Sequence, residues 1–156
     1  GNVAGLKFRN NIVVSEVDSP QYSYQLYCVT MNWTGADISH NVYYSSGTEY
    51  WVVGGAWHAS YAAYLAAVRA AAGDATLETG SQFADPLLTA TYHPRSNSPC
   101  LGTGAVLAGV TTDYGGNGRD DTPSIGPYEN AEASFRSELD PFTGTTTLER
   151  TRGRRS

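Results

Sequence analysis

Thirty-four consecutive residues, Ser96 to Glu129, restrict this chain to loops and short strands over a fifth of its 156-residue length. They read SNSPCLGTGAVLAGVTTDYGGNGRDDTPSIGPYE. Glycine accepts positive φ, and proline fixes φ and lacks an N–H donor, so a run punctuated this way cannot be a helix. Its apolar pieces, Ala105 to Val110 and Ile125 to Tyr128, are too short to form a core of their own. The run is expected to lie over something already folded.

The run also completes an ordered set. Asp85-Pro86, Ser98-Pro99, Gly104, Asp113 with Gly116 to Arg119, and Pro123 to Glu129 follow one another over some 45 residues. That order resembles the C-terminal end of secreted right-handed parallel β-helix proteins, the pectin-lyase-like superfamily. The resemblance spans about residues 3–129. It implies an all-β fold: a right-handed parallel β-helix of few coils, with one short α-helix and a loop-rich C-terminal end. Residues 1–129 would hold the coils, a helix at about 60–72 and the signature, and residues 130–156 would form a polar C-terminal arm or tail.

Val3 to Val14 alternates apolar and polar residues, which places Leu6, Phe8 and Ile12 inward. Asn10-Asn11 interrupts the pattern and suits a tight corner between strands. The resemblance implies that such asparagines stack on one another. Tyr22 to Met31 reads as a second strand region, with Tyr22, Tyr24, Leu26 and Cys28 on one face and a turn at Asp18 to Pro20 before it. Asn41 to Tyr44 echoes Asn11 to Val14 at a shift of 30 residues, the kind of period that stacked repeats produce. Trp51 to Val53 is a short apolar strand ending at Gly54-Gly55.

Then the period changes. Ser60 to Ala72 is rich in alanine, and Tyr61, Tyr64, Leu65, Val68 and Ala72 share one face of a helix. Ser60 or His58 can begin it, and Gly73 can close it in left-handed geometry. Ser81 to Leu88 returns to extended structure with Phe83 and Leu87 inward. Beyond Glu129, only Phe135, Leu139, Phe142 and Leu148 are large and apolar, which fits a last strand or an arm packed on a neighbour.

The net charge of −5 argues against a nucleic-acid partner. It is uneven: four arginines against Glu149 give residues 147–156 a charge of +3, leaving −8 on residues 1–146. Lys7 is the only lysine, a mix that suits an extracellular or cell- or virion-surface protein. No apolar run approaches membrane-spanning length. Cys28 and Cys100 match no metal spacing. They form either a disulfide, as a secreted protein would allow, or two separate buried thiols. Asn32-Trp33-Thr34 is a glycosylation sequon.

Chemistry-bearing motifs are few. His40, His58 and His93 have no metal-site spacing, and no nucleophile elbow or phosphate loop occurs. Asp113, Gly115 and Asn117-Gly118 resemble the first half of a calcium loop, and Asp120 and Asp121 lie near enough to complete a makeshift calcium site, but Ser124 stands where a closing glutamate belongs. The competing reading has Asp113 capping free backbone N–H groups in glycine turns, and Arg119 pairing with Glu129. Trp33, Trp51, Trp57, Tyr43 and Tyr44 are candidates for stacking on sugars, or for ordinary packing. No catalytic residue is assigned.

Two functions follow. In the first, the chain is a non-catalytic structural or binding module of an extracellular or virion-surface protein, assembling with copies of itself or with an upstream segment through an open N-terminal layer. In the second, it is the C-terminal part of a polysaccharide lyase or glycoside hydrolase acting on acidic polysaccharide.

Overall fold

The computed structural model describes residues 4–15, 25–28, 31–129, 138–139 and 146–147. The expected turn at Asp18 to Pro20, the side chains of Tyr22 and Tyr24, and most of the 130–156 arm lie outside the described residues.

Seven short strands precede the helix: β1 (Lys7–Arg9), β2 (Ile12–Ser15), β3 (Leu26–Cys28), β4 (Asp37–Ser39), β5 (Val42–Ser45), β6 (Trp51–Val53) and β7 (Ala56–His58). The helix α1 (Tyr61–Ala72) follows, then β8 (Gln82–Phe83). An antiparallel pair, β9 (Glu138–Leu139) and β10 (Thr146–Thr147), comes last. The 30-residue echo is the true register. Ile12 pairs with Val42 and Val14 with Tyr44 in a parallel ladder, and Phe8 pairs with Ile38 between β1 and β4. β3 pairs parallel with β6, Leu26 opposite Trp51.

The expected right-handed parallel β-helix does not form. The strands make one two-stranded and two three-stranded small sheets around the core, β1-β4, β2-β5-β8 and β3-β6-β7, with no continuous sheet winding along an axis. The repeat fails after its second copy. β8 is only two residues long and joins β5 at an offset of 40, because α1 has been inserted before it. β7 folds back antiparallel on β6 as a hairpin rather than starting another layer. The result is a small mixed α/β fold, and residues 84–129 contribute only isolated bridges.

The helix forms where its sequence places it. Ser60 is the N-cap, its hydroxyl accepting the Ala63 N–H, and Gly73 closes the last turn at φ 63°. Tyr64 and Val68 are buried, with Tyr61 and Ala72 packed beside them. Against this face lie Ile38, Tyr43, Trp51, Val53 and Leu77. Trp51 is the hub: its ring stacks on Tyr64 at 4.4 Å and meets Tyr43 edge-on at 5.1 Å.

β5 is buried on both faces. Tyr43 points into the aromatic cluster under α1, while Val42 packs with Cys100 and Ile125 under the loop-rich run. That run is the cover that the composition of residues 96–129 leads one to expect. Phe8, Ile12 and Phe83 pack inward as expected, but Leu6 is 38% exposed. Cys28 and Cys100 are separate buried thiols. No helix among the described residues is long and apolar enough to cross a membrane.

Candidate functional site

β1, β2 and β3 are each the outermost strand of their sheet, and together they form a first layer resting on β4, β5 and β6. Equivalent positions in the two layers differ in one respect. Ile38, Val42, Tyr43 and Trp51 are buried, while their partners Phe8, Ile12, Val13 and Leu26 are only half-buried. The lower layer has a neighbour on each side, and the upper layer has one. The backbone repeats the difference. Leu6 and Asn11 carbonyls accept from Asp37 and Val42, so every second residue of β1 and β2 bonds downward. By the same alternation the groups between, at Lys7, Ile12 and Val14, face away from β4 and β5. Such an edge is a ready template for another strand. Its charges are modest: Lys7 and Arg9 lie 3.7 and 3.2 Å from Asp37 on a solvated surface, worth little to stability.

A side-chain stack ties the two layers together. Asn41 is fully buried, and its oxygen accepts both the backbone and side-chain N–H groups of Asn11 at 3.0 Å. Its own amide donates to the Phe8 carbonyl. At the adjoining corner Asn10, at φ 57°, exchanges two 2.8 Å hydrogen bonds with the backbone of Ala105 and so docks the loop-rich run onto the first layer.

Below the strands sits a buried carboxylate that no sequence motif marks. Glu78 has φ 62°, and its Oε1 accepts the hydroxyls of Tyr43 at 2.7 Å and Tyr64 at 2.5 Å. Burial, reinforced by the Glu78 charge, raises both tyrosine pKa values far above the ordinary range. The same two causes raise Tyr61 and push the Cys28 thiol up to about 11. A thiol held protonated in this way is a poor nucleophile, which argues against a reactive role for Cys28.

The predicted site residues separate into two groups. Tyr43 and Trp51 are wholly buried core residues and cannot meet a sugar. Trp33 is half-buried beside Asn32 and Asp74, Trp57 stands out from β7 near Tyr50, and Tyr44 lines a surface groove. These three therefore lie on different parts of the surface. Asn32, the sequon asparagine, accepts the Thr34 N–H in a local turn.

Asp113 and Asn117 do come together, but as a turn lock. The Asp113 carboxylate accepts the Asn117 backbone N–H at 2.8 Å, the Asn117 side chain, and the Glu129 N–H at 3.0 Å. Burial pushes its pKa up, and these bonds outweigh that and hold it below the ordinary carboxylate range. Its lone pairs thus serve N–H donors rather than a cation. Asp120 and Asp121 are exposed, and no three His, Cys, Asp or Glu among the described residues gather at a metal-sized site. Arg119 meets Glu129 at 2.7 Å and also donates to the Ser124 and Gly126 carbonyls, closing the end of the fold.

Comparison with protein-family models and with curated proteins finds no match to this chain.

Proposed function

We propose that this chain is a non-catalytic structural module that assembles through its first strand layer, taking further β structure from another polypeptide onto β1 and β2. The observation that carries this reading is the contrast between paired positions: Ile38, Val42 and Tyr43 are sealed, while Phe8, Ile12 and Val13 are half open. A strand added above them would cover those side chains and satisfy the upward-facing backbone groups, the general logic of β-augmentation. The acids support the same reading. Glu78, Asp113 and Glu129 are committed to tyrosine hydroxyls, backbone N–H groups and Arg119. The cavities beside Ile12, Trp33 and Tyr44 each hold no more than one carboxylate, whereas glycoside hydrolysis needs two facing each other.

The test is assembly state against an edge-blocking variant. Val14 is exposed, and its N–H faces away from β5, so Val14→Pro removes an outward donor without breaking an internal bond. Light scattering should show a concentration-dependent multimer for the parent chain and a monomer for Val14→Pro, with the near-ultraviolet signal of the buried Trp51 cluster unchanged. A parent chain that stays monomeric at about millimolar concentration overturns the self-assembly form of the proposal.

A further inference from the structure

The corner at Asn10 recurs in the layers beneath it. Asn10, His40 and Gly80 all hold left-handed backbone, at φ 57°, 51° and 72°. The residues before them are paired with one another, Arg9 with Ser39 and Ser39 with Thr79. Asparagine, histidine and glycine are among the residues that tolerate this conformation.

The hydrogen bonds recur as well. The Asn10 N–H donates to the Ser39 carbonyl, and the His40 N–H donates to the Thr79 carbonyl. One residue on, the Asn11 N–H is accepted by Asn41 Oδ1 at 3.0 Å, and the Asn41 N–H by the Ser81 hydroxyl at 2.9 Å. The Val42 N–H then donates upward to the Asn11 carbonyl, and the Gln82 N–H to the Asn41 carbonyl. The same set of bonds therefore joins the first layer to the second and the second to residues 79–82.

The first layer presents that set again. Its Arg9 carbonyl, Asn11 Oδ1 and Ile12 N–H correspond in register to the Ser39 carbonyl, Asn41 Oδ1 and Val42 N–H below. The Asn11 amide donates to Asn41 and to the Arg9 carbonyl, and its Oδ1 accepts from no described residue. A carbonyl oxygen has a second lone pair, so Arg9 can still accept another donor. A straight strand cannot meet all of these groups. β1 and β2 belong to different sheets, and the chain turns between them at Asn10.

We propose that the partner docked on this layer is a bent β segment, two short strands joined at a left-handed Asn, His or Gly, and that Asn11 sets its register. The corner N–H donates to the Arg9 carbonyl, and the N–H of the next residue donates to Asn11 Oδ1. That next residue's carbonyl accepts the Ile12 N–H, and the flanking apolar side chains cover Phe8 and Ile12. The bent partner presupposes that the first-layer edge takes β structure at all, and it narrows what that edge accepts. An ordinary straight strand, which an open edge also attracts, lacks the corner.

The test is NMR titration of the dilute intact chain with three peptides. The first is the chain's own residues 4–15, which form such a bent unit in the fold. The second is the same peptide carrying Asn10→Val, whose β-branched side chain resists the left-handed corner. The third is a straight strand of alternating threonine and valine. The first should bind with a Kd of about a millimolar or tighter and shift the Lys7 and Ile12 amides together. The Asn10→Val peptide should bind about tenfold more weakly, and the straight peptide should not shift both amides. In the chain, Asn11→Ala should weaken the first peptide about fivefold. Asn11→Ser should recover most of that loss, because the Ser81 hydroxyl accepts the equivalent N–H below. The near-ultraviolet signal of the Trp51 cluster checks that both variants are folded, and the peptide series decides the matter if either is not. If the straight or the Asn10→Val peptide binds as tightly as the first, the edge stands as a docking surface and the bent partner is overturned. A folded Asn11→Ala chain that binds like the parent also overturns it. If no peptide binds at β1 or β2, the edge reading falls with it.

Discussion

The side-chain oxygen of Asn41 receives two N–H groups from Asn11, both at 3.0 Å, across the seam between the two strand layers. Asn41 is fully buried and also holds the Phe8 carbonyl. Asn41→Ala would leave the Asn11 backbone N–H and the Phe8 carbonyl without this partner in a half-buried seam, and the expected loss is about 1–3 kcal/mol in denaturant unfolding. The first layer should suffer most, so hydrogen exchange at Phe8 and Val13 should accelerate more than at Val53 or Tyr64.

Glu78 joins three elements through two hydroxyls, and its removal should be costly. Glu78→Ala leaves Tyr43 and Tyr64 with buried, unpaired hydroxyls, for an expected loss of about 2–4 kcal/mol. Glu78→Gln keeps an acceptor oxygen and should lose less. Denaturant midpoints for the two variants check the order.

Alkali should unfold the protein in a defined window. Unfolded tyrosine ionises near 10, but Tyr43 and Tyr64 hold their protons well above that in the folded state. The unfolded form therefore releases protons first, and stability falls as pH rises. Cys28, raised from 9.0 to about 11, begins the decline. Each tyrosine then adds about 1.4 kcal/mol per pH unit above about 10. Melting temperatures across pH 7 to 11 should be flat to about 9 and then drop, and Tyr64→Phe should soften the slope.

The loop-rich run is held close to itself at Gly104. A Cβ there would lie 2.8 Å from the Pro123 carbonyl oxygen and 3.0 Å from that of Ser124, both backbone atoms that cannot swing aside. Gly104→Ala should cost about 1–3 kcal/mol by forcing the two segments apart. Gly118→Ala, where nothing lies within 4 Å of the added atom, is the control and should be close to neutral.

Acid should act through Asp113. Its pKa is lower folded than unfolded, so its contribution is complete above the unfolded value of about 4 and fades as pH falls through the folded one. Asp113→Asn should lower the melting temperature at pH 7 and flatten the acid side of the profile. Added calcium should leave the parent's melting temperature in place, because the carboxylate oxygens already accept N–H groups.

Where local chemistry decides, the structure was legible in the sequence. Ser60 and Gly73 delimit the helix, the 30-residue echo sets the strand register, and Arg119 finds Glu129. The fold class departs from the β-helix expectation because two matching copies do not oblige a third: the helix takes the place where the repeat would continue. For Tyr43 and Trp51 the sequence leaves sugar stacking and ordinary packing both open, because a strand's alternation shows which residues share a face, not whether that face is covered. β5 is covered twice, by α1 and by the run around Cys100, and only long-range packing decides that. Glu78 has no motif around it, and its burial follows from a left-handed turn placed under the helix. The groove that Tyr44 lines draws on Ile12, Val14, Asp85, Leu88, Tyr92 and Pro127, a convergence that no local pattern encodes.

The two sulfurs give the molecule internal clocks. Cys28 sits beside the Glu78 network and Cys100 beneath the loops, each out of reach of reagents until its own surroundings part. The pace at which a maleimide captures one before the other would tell which half of the molecule breathes first.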